Sequence, residues 1–153
     1  MNWLSISGLV VVLDQFTKYI ADSRLDLHVP REIFPNLNMT LYYNKGAAFS
    51  LLSNADGWQR WLLMFISTVA SIALFYWLRK VDKNRKLLTL GLALILGGAV
   101  GNLIDRSLYG HVIDFIDVYY EYWHWPAFNI ADSAISVGAG LLLIDIFVYA
   151  KPD

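Results

Sequence analysis

Four aspartates in the last third of the sequence are the residues that could best support catalysis. They are Asp105, Asp114, Asp117 and Asp132. Two carboxylates that share one proton can direct water onto a carbonyl group without a covalent intermediate. One activates a water molecule, while the other, protonated, polarises the carbonyl group. Desolvation and mutual repulsion would separate the two titrations. This chemistry alone does not choose the pair among the four.

The composition disfavours other kinds of catalytic site. The chain has no cysteine, so it has no thiolate nucleophile and no cysteine-ligated metal. Its three histidines, His28, His111 and His124, are far apart in sequence, so we expect no metal site and no cofactor. Ser133 has no histidine or lysine base beside it in sequence, and serine catalysis therefore has little support.

The composition is that of a membrane protein, and we expect one domain over residues 1–153. Apolar residues make up 57% of the chain and charged residues 16%. A transmembrane helix needs about 20 mostly apolar residues, and the segments 3–21, 58–78, 87–104 and 130–149 qualify. The first segment has no basic region before it and no cleavage site after it, so we expect it to be retained.

Lysine and arginine counts in the connections predict the orientation in the membrane. The loop 79–86 contains five basic residues, whereas the connection 105–129 contains one, Arg106, against four acidic residues. Cytoplasmic loops are enriched in lysine and arginine. We therefore predict that the loop 79–86 and both termini are cytoplasmic and that the two larger connections face outward. The net charge of −1 gives no basic field, so no nucleic-acid partner is expected.

The two outward connections contain short segments that are typical of strands. Residues 37–44 and 111–120 are rich in β-branched and aromatic side chains and have the length of a strand. The predicted fold class is therefore an all-α membrane protein, a bundle of four transmembrane helices, with a small extracytoplasmic β-sheet at the outer membrane surface.

With this orientation, polar residues from three segments converge on the outer side of the membrane. Asp14 and Lys18 are four residues apart, so they share a helix face and can pair in the outer half of the first segment. Asn102 and Arg106 share a face at the outer end of the third segment, and Asp132 begins the fourth. Charges inside a span are costly and are often functional.

These residues also have structural interpretations. The pair in the first segment could be a structural ion pair, and Asp132 could cap its helix, because aspartate is favoured at helix starts. Gly97 and Gly101 form a G-x-x-x-G pair that allows close helix packing. Convergence on one surface nevertheless favours a shared site. Asp145 falls near the opposite end of the fourth segment and is not expected to belong to it.

Five blocks of the sequence carry a resemblance to a known family. In chain order they are DQFTK (14–18), NKGAAFS (44–50), GGAVGNLIDR (97–106), VIDFIDV (112–118) and FNIADSAI (128–135). Together they resemble the motifs of bacterial lipoprotein signal peptidases, also called signal peptidase II. The resemblance implies an aspartic-type endopeptidase, a hydrolase of the bacterial cytoplasmic (inner) membrane. Such an enzyme removes the signal peptide from diacylglyceryl-modified prolipoproteins by cleaving just before the lipidated cysteine.

The resemblance also implies which residues form the site. It assigns the catalytic pair to Asp114 and Asp132, with Asp117 as a secondary candidate. Seven further positions are implied to bind substrate or shape the site: Asp14, Lys18, Asn44, Gly46, Asn102, Arg106 and Asn129. No metal or cofactor is implied. The expected partners are prolipoprotein substrates and membrane lipids, and we expect a monomer with its active site near the outer (periplasmic) face.

Two hypotheses from other classes stay open on the sequence alone. A small proton-coupled carrier could use Asp14, Lys18 and Asp132 as a relay, but carriers favour acids near the midplane and usually contain an internal repeat. No such repeat is visible here. A membrane scaffold would use its polar residues only to cap and pair helices, which the convergent cluster disfavours.

Overall fold

A computed structural model describes residues 3–46, 57–82 and 84–149. Within these residues lie four helices that are long and apolar enough to cross a membrane. They are α1 (Trp3–Arg24), α2 (Trp58–Lys80), α3 (Lys86–Leu108) and α4 (Ile130–Tyr149). The four predicted segments are confirmed. The first three helices extend beyond the predicted segments. Polar residues end each apolar run, but the backbone hydrogen bonds of the helix continue through those polar residues.

The central element of the bundle is α3, because α1, α2 and α4 all pack against it. More than half of its apolar window is buried inside the protein, against less than a third for each other helix. Leu88, Leu92, Ala93 and Leu96 of α3 form a buried core with Leu78 of α2. The remaining helices expose apolar faces of the kind that contact lipid in a membrane.

Close packing of α1 on α3 depends on the two glycines of the G-x-x-x-G pair. A Cβ atom on Gly97 would lie 2.7 Å from the Cβ of Val10, and one on Gly101 would lie 2.6 Å from Oδ2 of Asp14. Both distances are shorter than real contacts allow. The predicted packing role is therefore confirmed, and it brings the carboxylate of Asp14 against the backbone of α3.

A small antiparallel sheet lies beyond the C-terminal ends of α1 and α3. Its strands, in spatial order, are β1 (Arg31–Phe34), β2 (Leu37–Asn44), β3 (Val112–Tyr120) and β4 (Trp123–His124). The prediction of a strand over 37–44 is confirmed, and that over 111–120 is one residue too long. The sequence did not predict β1 and β4, because β1 is fully exposed and β4 has only two residues, so neither shows an alternating pattern.

Hydrogen bonds fix β3 between the end of α3 and the start of α4. The N–H of Ile113 donates to Oδ2 of Asp105, near the end of α3, at 3.1 Å. The N–H of Ile116 donates to the carbonyl of Phe128 at 2.9 Å, and the N–H of Phe128 donates back to the carbonyl of Ile116 at 3.1 Å. Because Phe128 lies just before α4, Asp114 is held beside the start of that helix.

Candidate active site

A buried lysine lies at the base of the polar cluster. Nζ of Lys18 lies 2.8 Å from Oδ2 of Asp14 and 2.8 Å from Oδ2 of Asp105. It also donates to Oδ1 of Asn102 at 2.9 Å. All four side chains are buried. The three N–H groups of the ammonium thus have three acceptors. The predicted pairing of Asp14 with Lys18 is confirmed, and Asp105 joins it.

The ammonium group of Lys18 also sets the orientation of Asn102. An ammonium can only donate hydrogen bonds, so the amide oxygen of Asn102 has to face it. The amide nitrogen then points the other way and donates to Oδ1 of Asp132 at 2.8 Å. The buried ion pair on α1 therefore orients the amide of Asn102 so that it donates to the first turn of α4.

Asn129 contacts both Asp114 and Asp132. Its amide nitrogen donates to Oδ1 of Asp114 at 2.8 Å, and its amide oxygen accepts the N–H of Asp132 at 2.9 Å. Its own N–H donates to Oδ2 of Asp132 at 3.3 Å. The last two bonds form a reciprocal capping box at the start of α4. The structural interpretation of Asp132 as part of a helix cap is therefore confirmed.

Asp114 has a strongly perturbed titration. Its carboxylate is buried and accepts a second hydrogen bond, from Nδ2 of Asn44, at 3.0 Å. Burial, and after it the negative charge of Asp132, raise the pKa of Asp114 to about 7, against the opposing effect of the bonds from Asn44 and Asn129. A carboxyl group that changes protonation near neutral pH is suited to acid–base catalysis.

The other two aspartates have their oxygens engaged elsewhere. Asp105 accepts from Lys18, from the N–H of Ile113 and from Nε2 of Gln15 at 2.8 Å. Oδ2 of Asp117 accepts the hydroxyl of Thr40 at 2.9 Å, and its Oδ1 lies 2.7 Å from Nδ1 of His124. Of the four candidates, Asp114 and Asp132 are the two that line one large cavity within the described residues.

This large cavity, of about 660 Å³, lies between α2, α3 and α4 and opens toward the sheet. Its walls along the helices are mainly apolar and include Leu63, Ile66, Ala70, Ile135 and Val137. Its charged and amide side chains lie at the end near the sheet: Asn44, Asn102, Arg106, Asp114 and Asp132. The arrangement can hold an apolar segment along the helices and present one polar bond to two carboxylates.

Arg106 and Gly46 form the rim beside Asn44. NH2 of Arg106 donates to the carbonyl of Gly46 at 3.0 Å, and the N–H of Gly46 donates to Oδ1 of Asn44 at 2.9 Å. Among the described residues, the buried Nε of Arg106 has no hydrogen-bond partner. Residues 47–50, the rest of the NKGAAFS block, lie outside the described residues. All nine predicted site residues thus belong to one connected region.

Two predicted exclusions can be compared with the structure. Asp145 pairs with Arg85 near the opposite ends of α4 and α3, far from the cluster, as the sequence indicated. The hydroxyl of Ser133 donates to the carbonyl of Asn129 at 2.9 Å, which is a helical backbone contact and not a pairing with a base.

Sequence reasoning missed three residues that support the aspartates. Gln15 donates to Asp105, and its place directly after Asp14 in the DQFTK block was the available signal. Thr40 and His124 both contact Asp117. Alternation in β2 predicts that Thr40 lies on the polar face, opposite Met39 and Leu41, yet Thr40 is buried. No pattern in the sequence pairs His124 with a residue seven positions earlier.

Comparisons with known proteins agree with one another. A family model described as Signal peptidase (SPase) II matches residues 6–148. A lipoprotein signal peptidase of Acinetobacter baylyi is 51% identical over 97% of this chain and 83% of its own length. One of Alteromonas mediterranea is 48% identical over 96% of this chain and 81% of its own. A bacterial membrane enzyme solved by the in meso method at 2.3 Å resolution is 34% identical, with a TM-score of 0.87 over 99% of this chain and 92% of that one.

The ion cluster predicts a large effect of Lys18→Met on stability. The substitution leaves the buried carboxylates of Asp14 and Asp105 without their cation, so we expect the free energy of unfolding to fall by about 3–5 kcal/mol. Denaturant-induced unfolding in mixed micelles measures it. Lys80→Met, which removes an exposed lysine at the end of α2, is the matched control. Equal unfolding free energies for the two variants would contradict the assigned role of Lys18.

Proposed function

The chain belongs to the signal peptidase II family, and from this membership and the geometry of the site we propose that Asp114 and Asp132 are its catalytic pair. Members of the family are lipoprotein signal peptidases, aspartic-type peptidases of bacterial membranes that act on lipoprotein precursors. The chain is such an enzyme, and nothing in the comparisons supports the proton-coupled carrier. The observation that carries the proposal is that Asn129 contacts both carboxylates: its side-chain amide donates to Asp114, and its backbone N–H donates to Asp132.

The proposed reaction uses one proton shared between the two carboxylates. Below about pH 7 the proton resides on Asp114, whose pKa lies near 7. Asp132 takes a proton from water, the resulting hydroxide attacks the scissile carbonyl carbon, and Asp114 donates its proton to the carbonyl oxygen. The tetrahedral diol then collapses. The C–N bond breaks, the leaving amine takes the proton from Asp132, and Asp114 recovers a proton from the diol.

The large cavity supports the assignment of the substrate. Its apolar walls from α2 and α4 suit the hydrophobic part of a signal peptide, and its polar end suits a scissile peptide bond beside the two aspartates. The lipid attached to the substrate cysteine would remain in the bilayer. Asn44, Asn102, Arg106 and Asn129 then orient the carboxylates or meet the substrate backbone, while Asp14 and Lys18 act through Asn102.

The decisive variants are Asp114→Asn and Asp132→Asn, each made singly. Each keeps the shape of the side chain but removes the titratable oxygen, so we expect turnover to fall by about 100- to 10,000-fold. The measurement is cleavage of a diacylglyceryl-modified prolipoprotein by the purified enzyme in detergent or lipid. Asp26→Asn, which changes an exposed aspartate beyond α1, is the matched control. Near-normal turnover by either folded variant would show that the assigned pair is wrong.

The pKa of Asp114 predicts the alkaline side of the pH profile. A carboxyl group is protonated below its pKa, so the shared proton is lost, and kcat/KM falls, as the pH rises through about 7. The bond from Asn44 favours the ionised form. Asn44→Ala therefore raises the pKa of Asp114 and moves the alkaline limb to higher pH.

The measurement is kcat/KM against pH for the wild-type enzyme and for Asn44→Ala. Asn84→Ala, in the loop between α2 and α3, should leave the limb where it is. A limb that stays in place in Asn44→Ala, or moves to lower pH, would contradict the acid role of Asp114.

We further propose an inner-membrane protein with cytoplasmic termini and an outward-facing active site. The basic residues between α2 and α3 support this orientation. Exposed aromatic residues of the β3–β4 hairpin, such as Tyr122 and Trp123, support a position of the sheet at the opposite membrane surface. The proposed site is complete within one chain, so a monomer would be sufficient for the proposed reaction. Its lipid-facing apolar surfaces make membrane lipids its proposed partners.

Because the chain has no cysteine, single-cysteine variants can test the orientation directly. Tyr122→Cys places a thiol at a residue that is 98% exposed in the hairpin. Asn84→Cys places one in the exposed α2–α3 loop. In intact spheroplasts, a membrane-impermeant maleimide should label the first variant and not the second, whereas permeabilised cells should label both. Labelling of Asn84→Cys alone would show that the orientation is the opposite of the one proposed.

A further inference from the structure

A second pocket lies on the sheet side of the proposed catalytic pair. It has a volume of about 410 Å³, within the range of ligand sites, and is lined by residues of β2, β3 and β4 and of the segments that follow β2 and β4. It shares five lining residues with the large cavity: Asn44, Asp114, Trp125, Pro126 and Ala127. The two spaces therefore meet at Asp114, one along the membrane helices and the other along the sheet.

Asp117 and His124 form a polar pair in this second pocket. The carboxylate of Asp117 is buried and accepts the hydroxyl of Thr40 at 2.9 Å. Nδ1 of His124 lies 2.7 Å from its other oxygen. The imidazole ring also stacks on Tyr119, with ring centroids 5.3 Å apart and an interplanar angle of 19°. Two contacts thus hold a ring whose side chain is 48% exposed.

The pairing with Asp117 decides what the exposed edge of His124 can do. An ionised carboxylate can only accept hydrogen bonds, so Nδ1 of His124 carries the hydrogen. In the neutral ring, Nε2 is then an acceptor. An acceptor held at a fixed position suits the backbone N–H of an extended peptide, because every residue other than proline offers one.

We propose that this second pocket binds the residues that follow the lipidated cysteine, the start of the mature lipoprotein, with Nε2 of His124 accepting a backbone N–H from them. The inference rests on the proposed function. A substrate whose signal peptide lies along the helices and whose scissile bond lies at Asp114 has to leave on the other side of that residue. The second pocket is the space that adjoins Asp114 there.

In this proposal, Asp117 and His124 both contribute to substrate recognition. Asp117 orients the imidazole and contacts no substrate itself, so it is a positioning residue. His124 contributes one hydrogen bond to a neutral partner, which corresponds to an effect of about three- to ten-fold on kcat/KM. The contribution applies only to substrates that extend far enough beyond the cysteine to occupy the pocket.

The test compares two synthetic substrates with the same signal sequence and the same diacylglyceryl-cysteine. One ends at that cysteine as its amide, and the other continues for four mature residues. We expect His124→Ala to lower the ratio of kcat/KM for the long over the short substrate by about three- to ten-fold, mainly through KM. Tyr122→Ala, at the exposed tip of the same hairpin, should leave the ratio unchanged.

Asp117→Asn provides a second and independent variant. The amide can donate to Nδ1 and so move the hydrogen of the ring to Nε2, which can then no longer accept an N–H. We expect a similar fall in the ratio, and no further fall in the double variant with His124→Ala. Because the ratio compares two substrates of one protein sample, partial unfolding does not change it.

An unchanged ratio in His124→Ala and Asp117→Asn would overturn the inference, whether or not total activity falls. This outcome is distinct from failure of the proposed function, which requires activity to survive in Asp114→Asn or Asp132→Asn. A fall in the ratio with Tyr122→Ala as well would also count against it, because the effect would then belong to the whole hairpin.

Discussion

The structure depends on one buried positive charge, the ammonium group of Lys18. In the membrane no water is available to solvate it, so each of its three N–H groups needs a protein acceptor. Asp14, Asp105 and Asn102 supply these acceptors. The two carboxylates also reach other elements, because Asp14 accepts the N–H of Ala131 in α4 at 2.8 Å and Asp105 accepts an N–H of β3. One ion cluster thus connects three helices and the sheet.

This cluster explains why the side chains of the proposed site have fixed orientations although they come from distant parts of the chain. Asn102 cannot rotate its amide, because an amide nitrogen facing Lys18 would place donor against donor. Asn129 accepts the N–H of Asp132 and donates to Asp114, and its amide nitrogen also lies 3.3 Å from Oδ1 of Asn102. Each amide is therefore oriented by its neighbours, starting from the lysine. Such fixed donors need no reorganisation when charge develops in a reaction.

The sequence predicts well what depends on local pattern, and poorly what depends on distant pairing. Apolar runs predicted all four helices, and the β-branched and aromatic content of residues 37–44 predicted β2. The interpretation of Asp14 and Lys18 as a pair was also local, since helical spacing places them on one face. The strand β4 could not be predicted from the sequence, because its two residues form a strand only through their pairing with β3.

The proposed catalytic pair shows the same limit more sharply. Chemistry and topology reduced the candidates to four aspartates, and only the resemblance chose two of them. The reason is that the contacts that distinguish them are long-range: Lys18 engages Asp105 across 87 positions, and Thr40 engages Asp117 across 77. No periodicity within one segment encodes such distances. The structure adds that Asp114 and Asp132 face the large cavity together.

Asp132 shows why the structural and catalytic interpretations of one residue need not compete. In a capping box the third helical residue accepts the N–H of the cap residue, and here this bond runs from Asn129 to Oδ2 of Asp132. The bond from Asn102 reaches the other oxygen, Oδ1. The carboxylate is therefore held from two sides by the same groups that begin α4 and close the ion cluster. The side chain of Asn129 also binds Asp114. One residue therefore both begins the helix and connects the two carboxylates.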